Sequence, residues 1–275
     1  MTCWLHTMGS EVASVLARAA RVFGFFDYDG TLAPLAPTPD AAVPLPGSVA
    51  LLHALVAQPG VDVAIVSGRP IADVRRFIDV PGAYYVGVHG AELCVPDGPV
   101  HLAEGVEAVR PVLSEIRLRL QQAVGERTGV LIEDKGAAVA CHYRLADVAD
   151  AVAARAAVTA LTEEYQRRGV PITVSDGHAV REIRPAAVDK GTAVYALLAV
   201  YAPDALPVYV GDDRTDEDAF AALPPFAITI RVGTAEEPTR ARYRVETPAA
   251  VQEFLRMLLA VHRRPECEAL RDRAP

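Results

Sequence analysis

Two short acidic segments of this sequence combine residue types that suit phosphoryl transfer. The first, Asp27–Thr31 (DYDGT), holds two carboxylates two residues apart, and the second, Gly211–Phe220 (GDDRTDEDAF), holds five acidic residues in ten. The carboxylate of Asp27 can attack phosphorus and form an aspartyl-phosphate. Asp29 can then protonate the leaving oxygen and later deprotonate water. The alternative for this first segment is an ordinary acidic turn of the Asx type.

The loop around these acids could also hold a phosphate and a metal ion. Gly30 lets backbone amides come close, and we expect the N–H groups at Gly30 and Thr31 to bind phosphate oxygens. Clustered carboxylates repel one another unless water or a cation separates them, and Mg²⁺ prefers such hard oxygen ligands. A solvated helix N-terminus explains the later acids of the second segment. It does not explain Asp212 and Asp213, which directly follow a strand, so both are predicted metal ligands.

Two further polar segments have a similar position in the sequence. The segment Ser67–Pro70 (SGRP) follows a strand and opens a helix, where a hydroxyl and free amides form an anion site. A plain serine N-cap is the alternative. Lys190 begins a helix, where its charge opposes the helix dipole, which makes a phosphate partner attractive. Taken alone, a solvent-facing lysine is the favoured alternative, and the other three segments shift the balance towards phosphate. Ser67, Gly68 and Lys190 are therefore predicted to bind phosphate, and with the acids they form a phosphoryl-transfer centre.

Near-continuous apolar runs precede most of these segments and alternate with helical patterns. The expected core strands are Val22–Phe26, Val61–Val66, Tyr84–Val88, Val208–Val210, Ala227–Val232 and the edge strand Arg242–Val245. Such runs indicate a parallel sheet that is covered by helices on both faces. Ligands of open α/β sheets bind at the carboxyl ends of the strands, where the polar segments lie. The predicted fold class is therefore α/β, with a Rossmann-like doubly wound core.

The middle of the chain has a different pattern, with longer helices and alternating strands. Residues 106–124 and 146–168 are helical in pattern, and hairpins are expected around Asp134–Gly136 and Ser175–Gly177. Alternation is typical of half-exposed antiparallel strands. The predicted domains are a core of residues 1–106 and 182–275 and an inserted α+β cap of residues 107–181.

Composition limits the classes of function. The chain has 275 residues, 51% hydrophobic and 23% charged, with a net charge of −8. These values exclude disorder, a collagen-like fibre or a coiled coil as the main architecture, and the acidic balance argues against nucleic acid as the main ligand. The four cysteines form no C-x-x-C pair, which argues against a zinc site. The sequence has neither an apolar run of membrane-spanning length nor a signal-peptide pattern, so we expect a cytoplasmic monomer without a membrane partner.

Several segments resemble a known family. The segments DYDGTL, Ser67–Arg69, Lys190 and GDDRTDEDAF are similar to the four motifs of the haloacid dehalogenase superfamily of phosphatases. VGVHGAEL (86–93), EDKGAAVACHYR (133–144) and REIRPAAVDKGTAV (181–194) resemble the trehalose-6-phosphate phosphatases more narrowly. The resemblance spans roughly residues 23–254 and implies a Rossmann-like core, an α/β cap and Mg²⁺.

The resemblance also implies roles for individual residues. Asp27 would be the nucleophile and a metal ligand, and Asp29 the general acid and base, with its backbone carbonyl on the metal. Asp212 would be the third protein ligand, assisted by Asp213 or Asp216. The implied sugar-binding residues lie in or near the cap: Arg69, His89, Glu92, Glu133, Lys135, His142, Arg144 and Glu182. Simple exposed strand positions are the alternative for Glu133 and Arg144.

The expected activity is hydrolysis of the phosphate ester of trehalose 6-phosphate. A phosphatase for another sugar phosphate and a phosphomutase of the same fold remain open, because cap specificity is poorly legible in the sequence. A phospho-accepting receiver domain also uses a strand-end Asp, a carboxylate pair and a Lys, but the inserted middle domain argues against it. An inactive relative would not need all four motif residues.

Overall fold

Apolar runs of the sequence form the strands of one large sheet in a computed structural model that describes residues 3–177, 179–234 and 238–263. Its strands in spatial order are β12 (Tyr243–Val245), β11 (Ile228–Val232), β10 (Leu206–Gly211), β1 (Val22–Asp27), β2 (Val61–Val66), β3 (Tyr84–Gly87), β4 (Glu92–Cys94) and β5 (Val100–Leu102). The pairs from β12 to β3 are all parallel, and β4 and β5 continue the sheet antiparallel.

The chain order places β1 at the point where the sheet reverses direction. From β1 the chain moves outward through β2 and β3, and it later returns on the other side of β1 through β10 to β12. The carboxyl ends of β1 and β10 therefore meet at a topological switch point, where open α/β sheets bind ligands. Asp27 ends β1 and Gly211 ends β10.

Helices cover both faces of this sheet, as the buried character of its strands requires. The core helices are α1 (Cys3–Arg18), α2 (Ser48–Val56), α3 (Ile71–Arg75), α6 (Lys190–Tyr201), α7 (Asp216–Ala222) and α8 (Pro248–His262). Side chains of α1, α2 and α8 share one hydrophobic cluster with the sheet, whereas α6 and α7 pack on the opposite face against Phe23 and Phe25. The predicted doubly wound α/β core is confirmed.

A second sheet lies apart from the first and is entirely antiparallel. Its order is β6 (Leu131–Asp134), β7 (Val139–His142), β9 (Val180–Pro185) and β8 (Ile172–Gly177). The helices α4 (Val106–Val124) and α5 (Val148–Arg167) pack on one face and enclose a separate hydrophobic cluster that includes Ile116 and Ile183. On the other face, the register places Glu133 and Glu182 on either side of Ala140. The predicted small α+β unit is present, while its limits at residues 107 and 181 stay a prediction. The second limit falls inside β9.

The structure differs from the sequence-based expectation mainly in short elements. The expected strand Tyr84–Val88 ends at Gly87, and a single helical turn, Val88–Gly90, precedes β4 and β5, which were not predicted. β4 and β5 have only three residues each, which gives little periodicity to recognise, and all three residues of β5 are exposed. The first helix extends to Cys3 rather than beginning at Ser10. Within the described ranges, no helix is both long and apolar enough to cross a membrane.

Candidate active site

A buried ion network occupies the carboxyl ends of β1 and β10. The ammonium of Lys190, the first residue of α6, donates to Asp27 Oδ1 at 2.6 Å and to Asp216 Oδ1 at 2.8 Å. All three side chains are at most 5% exposed. Burial would lower the pKa of Lys190, but the charges of Asp216 and Asp27 outweigh burial and raise that pKa. The lysine is therefore held as a cation between two carboxylates.

Asp212 adds a third carboxylate to this network. Asp27, Asp212 and Asp216 each offer an oxygen, and these oxygens lie within 4.8 Å of one another. Burial, together with the charge of Asp216, raises the pKa of Asp27 well above its usual range and that of Asp212 to about 7. Three carboxylates and one ammonium leave an excess of two negative charges, which a divalent cation would balance. The residues therefore fit Mg²⁺, whose preferred ligands are oxygens.

The loop after β1 brings Gly30 and Thr31 against Asp212. Gly30 has a φ of 80°, and a Cβ at this position would overlap the Asp212 carboxylate. The hydroxyl of Thr31 donates to Asp212 Oδ1 at 3.3 Å. Glycine is thus required at residue 30 both by the left-handed backbone and by the close approach of the acid.

Asp29 is held by Arg69 from the loop after β2. The guanidinium donates from Nε to Asp29 Oδ2 at 2.8 Å and from Nη2 to Asp29 Oδ1 at 2.5 Å. Arg69 also lies over the ring of Tyr28, with 5.0 Å between its Cζ and the ring centroid. Paired hydrogen bonds of this kind fix both the position and the plane of a carboxylate. Each Asp29 oxygen keeps a second lone pair, and the side chain is 35% exposed, so Asp29 remains accessible beside Arg69.

Ser67 and Gly68 form a loop that is braced by the strained turn after β3. Ser67 is buried, and its hydroxyl accepts from the backbone N–H of Arg69 at 3.1 Å. Val88 and His89 both have positive φ, 45° and 54°, which is costly for a β-branched residue. In return, their N–H groups donate to the carbonyls of Arg69 and Ser67. Strained backbone of this kind clusters at functional sites.

His89 lies between the loop and the second sheet. Its ring is against Gly68, and its Nε2 is 3.6 Å from Glu182 Oε1. Burial lowers the pKa of His89 to about 3, although Glu182 acts in the opposite direction. The imidazole is therefore neutral near pH 7 and works as a spacer or hydrogen-bonding group, not as a cation.

The polar face of the second sheet meets the core directly above this loop. Lys135 donates to the carbonyl of Gly68 at 2.8 Å and to Glu182 Oε2 at 2.5 Å. Burial would raise the pKa of Glu182, but Lys135 and His89 outweigh burial and lower it, so the acid is charged. These contacts join residues that are distant in the sequence into one polar cluster.

Two further predicted sugar-binding residues form a half-exposed pair on the same face. His142 Nε2 lies 2.7 Å from Glu133 Oε2, and this hydrogen bond lowers the pKa of Glu133. Arg144 bridges the two sheets in another place, since its Nη1 donates to the carbonyl of Ala36 in the loop after β1. Polar groups of the second sheet thus meet the core at the loops that follow β1 and β2.

Two of the predicted residues point elsewhere. The carboxylate of Glu92 accepts from the N–H of Ile71 at 2.8 Å and so caps α3, and burial raises its pKa. Asp213 lies outside the group of three clustered acids. Its carboxylate accepts from the N–H of Arg214, and its own N–H donates to Asp216 Oδ2 at 2.8 Å. Spacing alone could not distinguish Asp213 from Asp216, because the intervening turn decides which one faces inward.

One participant was absent from the sequence interpretation. Tyr209 of β10 is fully buried, and its hydroxyl donates to Asp216 Oδ1 at 2.7 Å. A tyrosine in an apolar run directly before Gly211 and the acids could have indicated this contact, since a buried phenol needs an acceptor.

Comparison with known proteins places these residues in a family. A sequence profile of the trehalose-phosphatase family matches residues 25–249, a range that holds every residue of the network described above. The chain belongs to the trehalose-phosphatase family. The family predicted from the sequence motifs is therefore confirmed.

Relatives of this trehalose-phosphatase family member include mycobacterial trehalose-phosphate phosphatases. A trehalose-phosphate phosphatase of Mycobacterium marinum is 42% identical over 239 residues, which are 84% of this chain and 59% of that protein. The chain thus spans about three fifths of the length of the curated relatives it matches.

Solved structures show the same architecture. The trehalose-6-phosphate phosphatase of Aspergillus fumigatus aligns with a TM-score of 0.66 and 28% identity, over 91% of this chain and 97% of that one. The C-terminal domain of the C. albicans trehalose-6-phosphate phosphatase aligns with a TM-score of 0.79 over 92% and 97% of the two chains. At 23% identity, this second likeness concerns the fold alone.

Proposed function

We propose that this protein hydrolyses trehalose 6-phosphate to trehalose and inorganic phosphate. The observation that carries the proposal is the position of Asp27, buried at the switch point in contact with Lys190, with Asp29 two residues further along. The polar face of the second sheet lies over the same point and supplies charged groups suited to sugar hydroxyls. Family membership and the names of the relatives support the choice of substrate.

The proposed first step is attack by an Asp27 carboxylate oxygen on phosphorus. The new bond joins this oxygen to phosphorus, and the ester bond between phosphorus and the O6 oxygen of the sugar breaks. Asp29 donates a proton to that oxygen as it leaves. Lys190 and the hydroxyl of Ser67 would hold the oxygens of the transferring group, whose charge they stabilise. The N–H groups of Gly30 and Thr31, also expected from the sequence to bind phosphate, instead donate to the carbonyls of Ala33 and Tyr28 within the loop.

The second step returns the enzyme to its starting state. Asp29, now a carboxylate, removes a proton from water, and the resulting hydroxide attacks the aspartyl-phosphate. The acyl phosphate bond breaks, inorganic phosphate forms, and Asp27 is a free carboxylate again. The same residue thus acts first as acid and then as base.

Mg²⁺ is the expected cofactor. Asp27 and Asp212 would hold it through their carboxylates and Asp29 through its backbone carbonyl. Asp213, the other ligand predicted from the sequence, lies outside the clustered acids. When bound, the ion neutralises charge on the transferring phosphoryl group and lets an anionic substrate approach the acids. Asp216 already accepts hydrogen bonds from Lys190, Tyr209 and the N–H of Asp213, which suits it to orientation more than to ligation.

The remaining cap residues would recognise the sugar. Glu133, Lys135, His142, Arg144 and Glu182 all make polar contacts around the entrance to Asp29. Buried charged groups such as Lys135 and Glu182 reject ligands that leave them unpaired. A monomeric state, a cytoplasmic location and the absence of nucleic-acid or membrane partners stay predictions from the sequence.

Phosphate release tests the proposal directly. The protein is incubated with Mg²⁺ and, in separate reactions, with trehalose 6-phosphate, sucrose 6-phosphate, glucose 6-phosphate and p-nitrophenyl phosphate. We expect the highest kcat/KM with trehalose 6-phosphate. The Asp27→Asn variant, which keeps the side-chain shape, should lose at least about a thousandfold in kcat, since it removes the nucleophile.

Each outcome has a distinct meaning. Preference for another sugar phosphate would overturn the cap assignment and retain the chemistry. Substantial turnover by Asp27→Asn would overturn the covalent mechanism. Transfer of phosphate between positions of one sugar, without release, would identify a mutase.

A further inference from the structure

We propose that the hydroxyl of Tyr209 is a positioning group for phosphoryl transfer, acting through Asp216 on Lys190. The proposal rests on the phosphatase function proposed above and adds a residue to it. Tyr209 lies on β10, behind the acids, and is not placed to touch the substrate. Its effect is on where the lysine points.

The hydrogen bonds of Lys190 show why the orientation of its ammonium matters. An ammonium has three N–H groups. One is used by Asp27 Oδ1 at 2.6 Å and one by Asp216 Oδ1 at 2.8 Å. The third N–H is left for an oxygen of the phosphoryl group. Because the three bonds are tetrahedrally arranged, the two acids determine where the third one points.

Asp216 can orient the lysine only if its own carboxylate is fixed. It is completely buried and accepts from Tyr209 at Oδ1 and from the N–H of Asp213 at Oδ2. The two donors hold the two ends of the carboxylate plane. A Cβ on Gly211 would overlap this carboxylate, so the acid is also packed closely against the end of β10.

The ring of Tyr209 is anchored independently of its hydroxyl. It meets Phe220 edge-on, with centroids 5.5 Å apart, and stacks against Phe25 at 6.5 Å. A phenylalanine would keep these contacts. The hydroxyl can therefore be removed without the ring contacts, and it donates to the acid that holds Lys190.

Tyr85 provides a matched control in the same sheet. It is also buried, on β3, but its hydroxyl bonds with the backbone of Val80 and Ile78, away from the acids. Deleting this hydroxyl removes a buried hydrogen bond without touching the network. A purely structural role for Tyr209 predicts that the two deletions behave alike.

The test compares Tyr209→Phe with Tyr85→Phe in the full chain with Mg²⁺. We expect Tyr209→Phe to lower kcat about tenfold for both trehalose 6-phosphate and p-nitrophenyl phosphate, with KM changed less than about threefold, because a misdirected lysine affects the reacting group. Tyr85→Phe should lower Tm and leave kcat unchanged. Equal kcat for Tyr209→Phe and the wild type would overturn the proposal, as would parallel losses of kcat and Tm in both variants.

Two further measurements separate this inference from the proposed substrate. If the wild type hydrolyses p-nitrophenyl phosphate but not trehalose 6-phosphate, the substrate is wrong, and the ratio of the variants still tests Tyr209. Binding of orthovanadate, which mimics the phosphoryl group in its transition state, requires no turnover and should weaken about tenfold in Tyr209→Phe when measured by calorimetry; unchanged affinity would count against the proposal.

A double variant tests the route through Asp216. If Tyr209 acts through that carboxylate, Tyr209→Phe should have little further effect on kcat in the Asp216→Asn background, provided the circular dichroism melt shows a folded protein. Additive losses would mean that Tyr209 acts by another route.

Discussion

The core site and the polar face of the second sheet hold their charged residues in different ways. On the core side, Asp27, Lys190 and Asp216 are almost completely buried and locked to one another. On the cap side, Glu133 and His142 are about one third exposed and pair with each other. The core network has few alternative arrangements, whereas the exposed pair can exchange its hydrogen bonds for those of a ligand. The difference suits the core to chemistry and the cap to recognition.

Between these extremes lies the cluster of Lys135, Glu182 and His89. It is buried like the core network but is contributed by both sheets. Within it, burial keeps the imidazole of His89 neutral, whereas Glu182 is charged beside Lys135. Disturbing this cluster should therefore affect recognition and stability together.

The largest effect is expected from removing the cation of the core network. Lys190→Met leaves the buried carboxylates of Asp27 and Asp216, and the partly buried Asp212, without their positive partner. We expect the free energy of unfolding to fall by about 3–5 kcal/mol without metal. Millimolar Mg²⁺ should restore part of this loss. Urea denaturation with and without MgCl₂ measures both effects. Lys135→Met, on the cap side, is the control that should show no comparable recovery with Mg²⁺.

A smaller, selective effect is expected on the cap side. Glu182→Gln removes the charge that pairs with Lys135, and it should cost about 1.5–3 kcal/mol in kcat/KM for trehalose 6-phosphate. Hydrolysis of p-nitrophenyl phosphate, which has no sugar, should change less than about threefold. Steady-state kinetics with both substrates gives the comparison, and the exposed Glu107→Gln is the control. Equal losses with both substrates would mean that Glu182 supports the core site instead of the sugar.

The most gradual effect concerns pH. Because the pKa of His89 is lowered to about 3 in the folded protein, only the unfolded chain protonates this residue between about pH 3 and 6.5. This difference in protonation adds a pH-dependent component to the free energy of unfolding. The component decreases as the pH is lowered below about 6.5, by up to about 1.4 kcal/mol per pH unit, so the protein becomes less stable. His89→Gln should remove that component.

Chemical denaturation at pH 5.0, 6.0 and 7.0 checks this dependence as a difference between the wild type and His89→Gln. His142→Gln, on the half-exposed pair, serves as the comparison and should retain the component due to His89. Identical pH dependence in the wild type and His89→Gln would show that the buried imidazole titrates normally.

The sequence was most informative where polar residues end buried strands. The apolar runs before Asp27, Ser67 and Asp212 predicted the parallel sheet, because strands that are buried on both faces are typical of such sheets. They also predicted the edge at which these side chains lie, because the carboxyl ends of parallel strands share one edge. The pairing of Lys190 with Asp27 could be anticipated only as a shared site, since 163 residues separate them.

Other features depended on tertiary packing and were not legible. Glu92 lies five residues beyond the end of β3, yet its carboxylate turns back to cap α3. The orientation of Asp216 and its contact with Tyr209 follow from the turn at residues 212–215, which the residue spacing did not specify. The short strands β4 and β5 have no periodic pattern of their own.

The hydrogen bond from Lys135 to the carbonyl of Gly68 has a consequence for the timing of catalysis. It joins the second sheet directly to the loop proposed to hold phosphate, so the two parts are tied together at the proposed sugar site while this bond exists. In the proposed reaction, the bond would open before the sugar enters and again before trehalose leaves. When those movements are slower than the chemistry, the observed rate reports on a hinge, and it will depend on solvent viscosity.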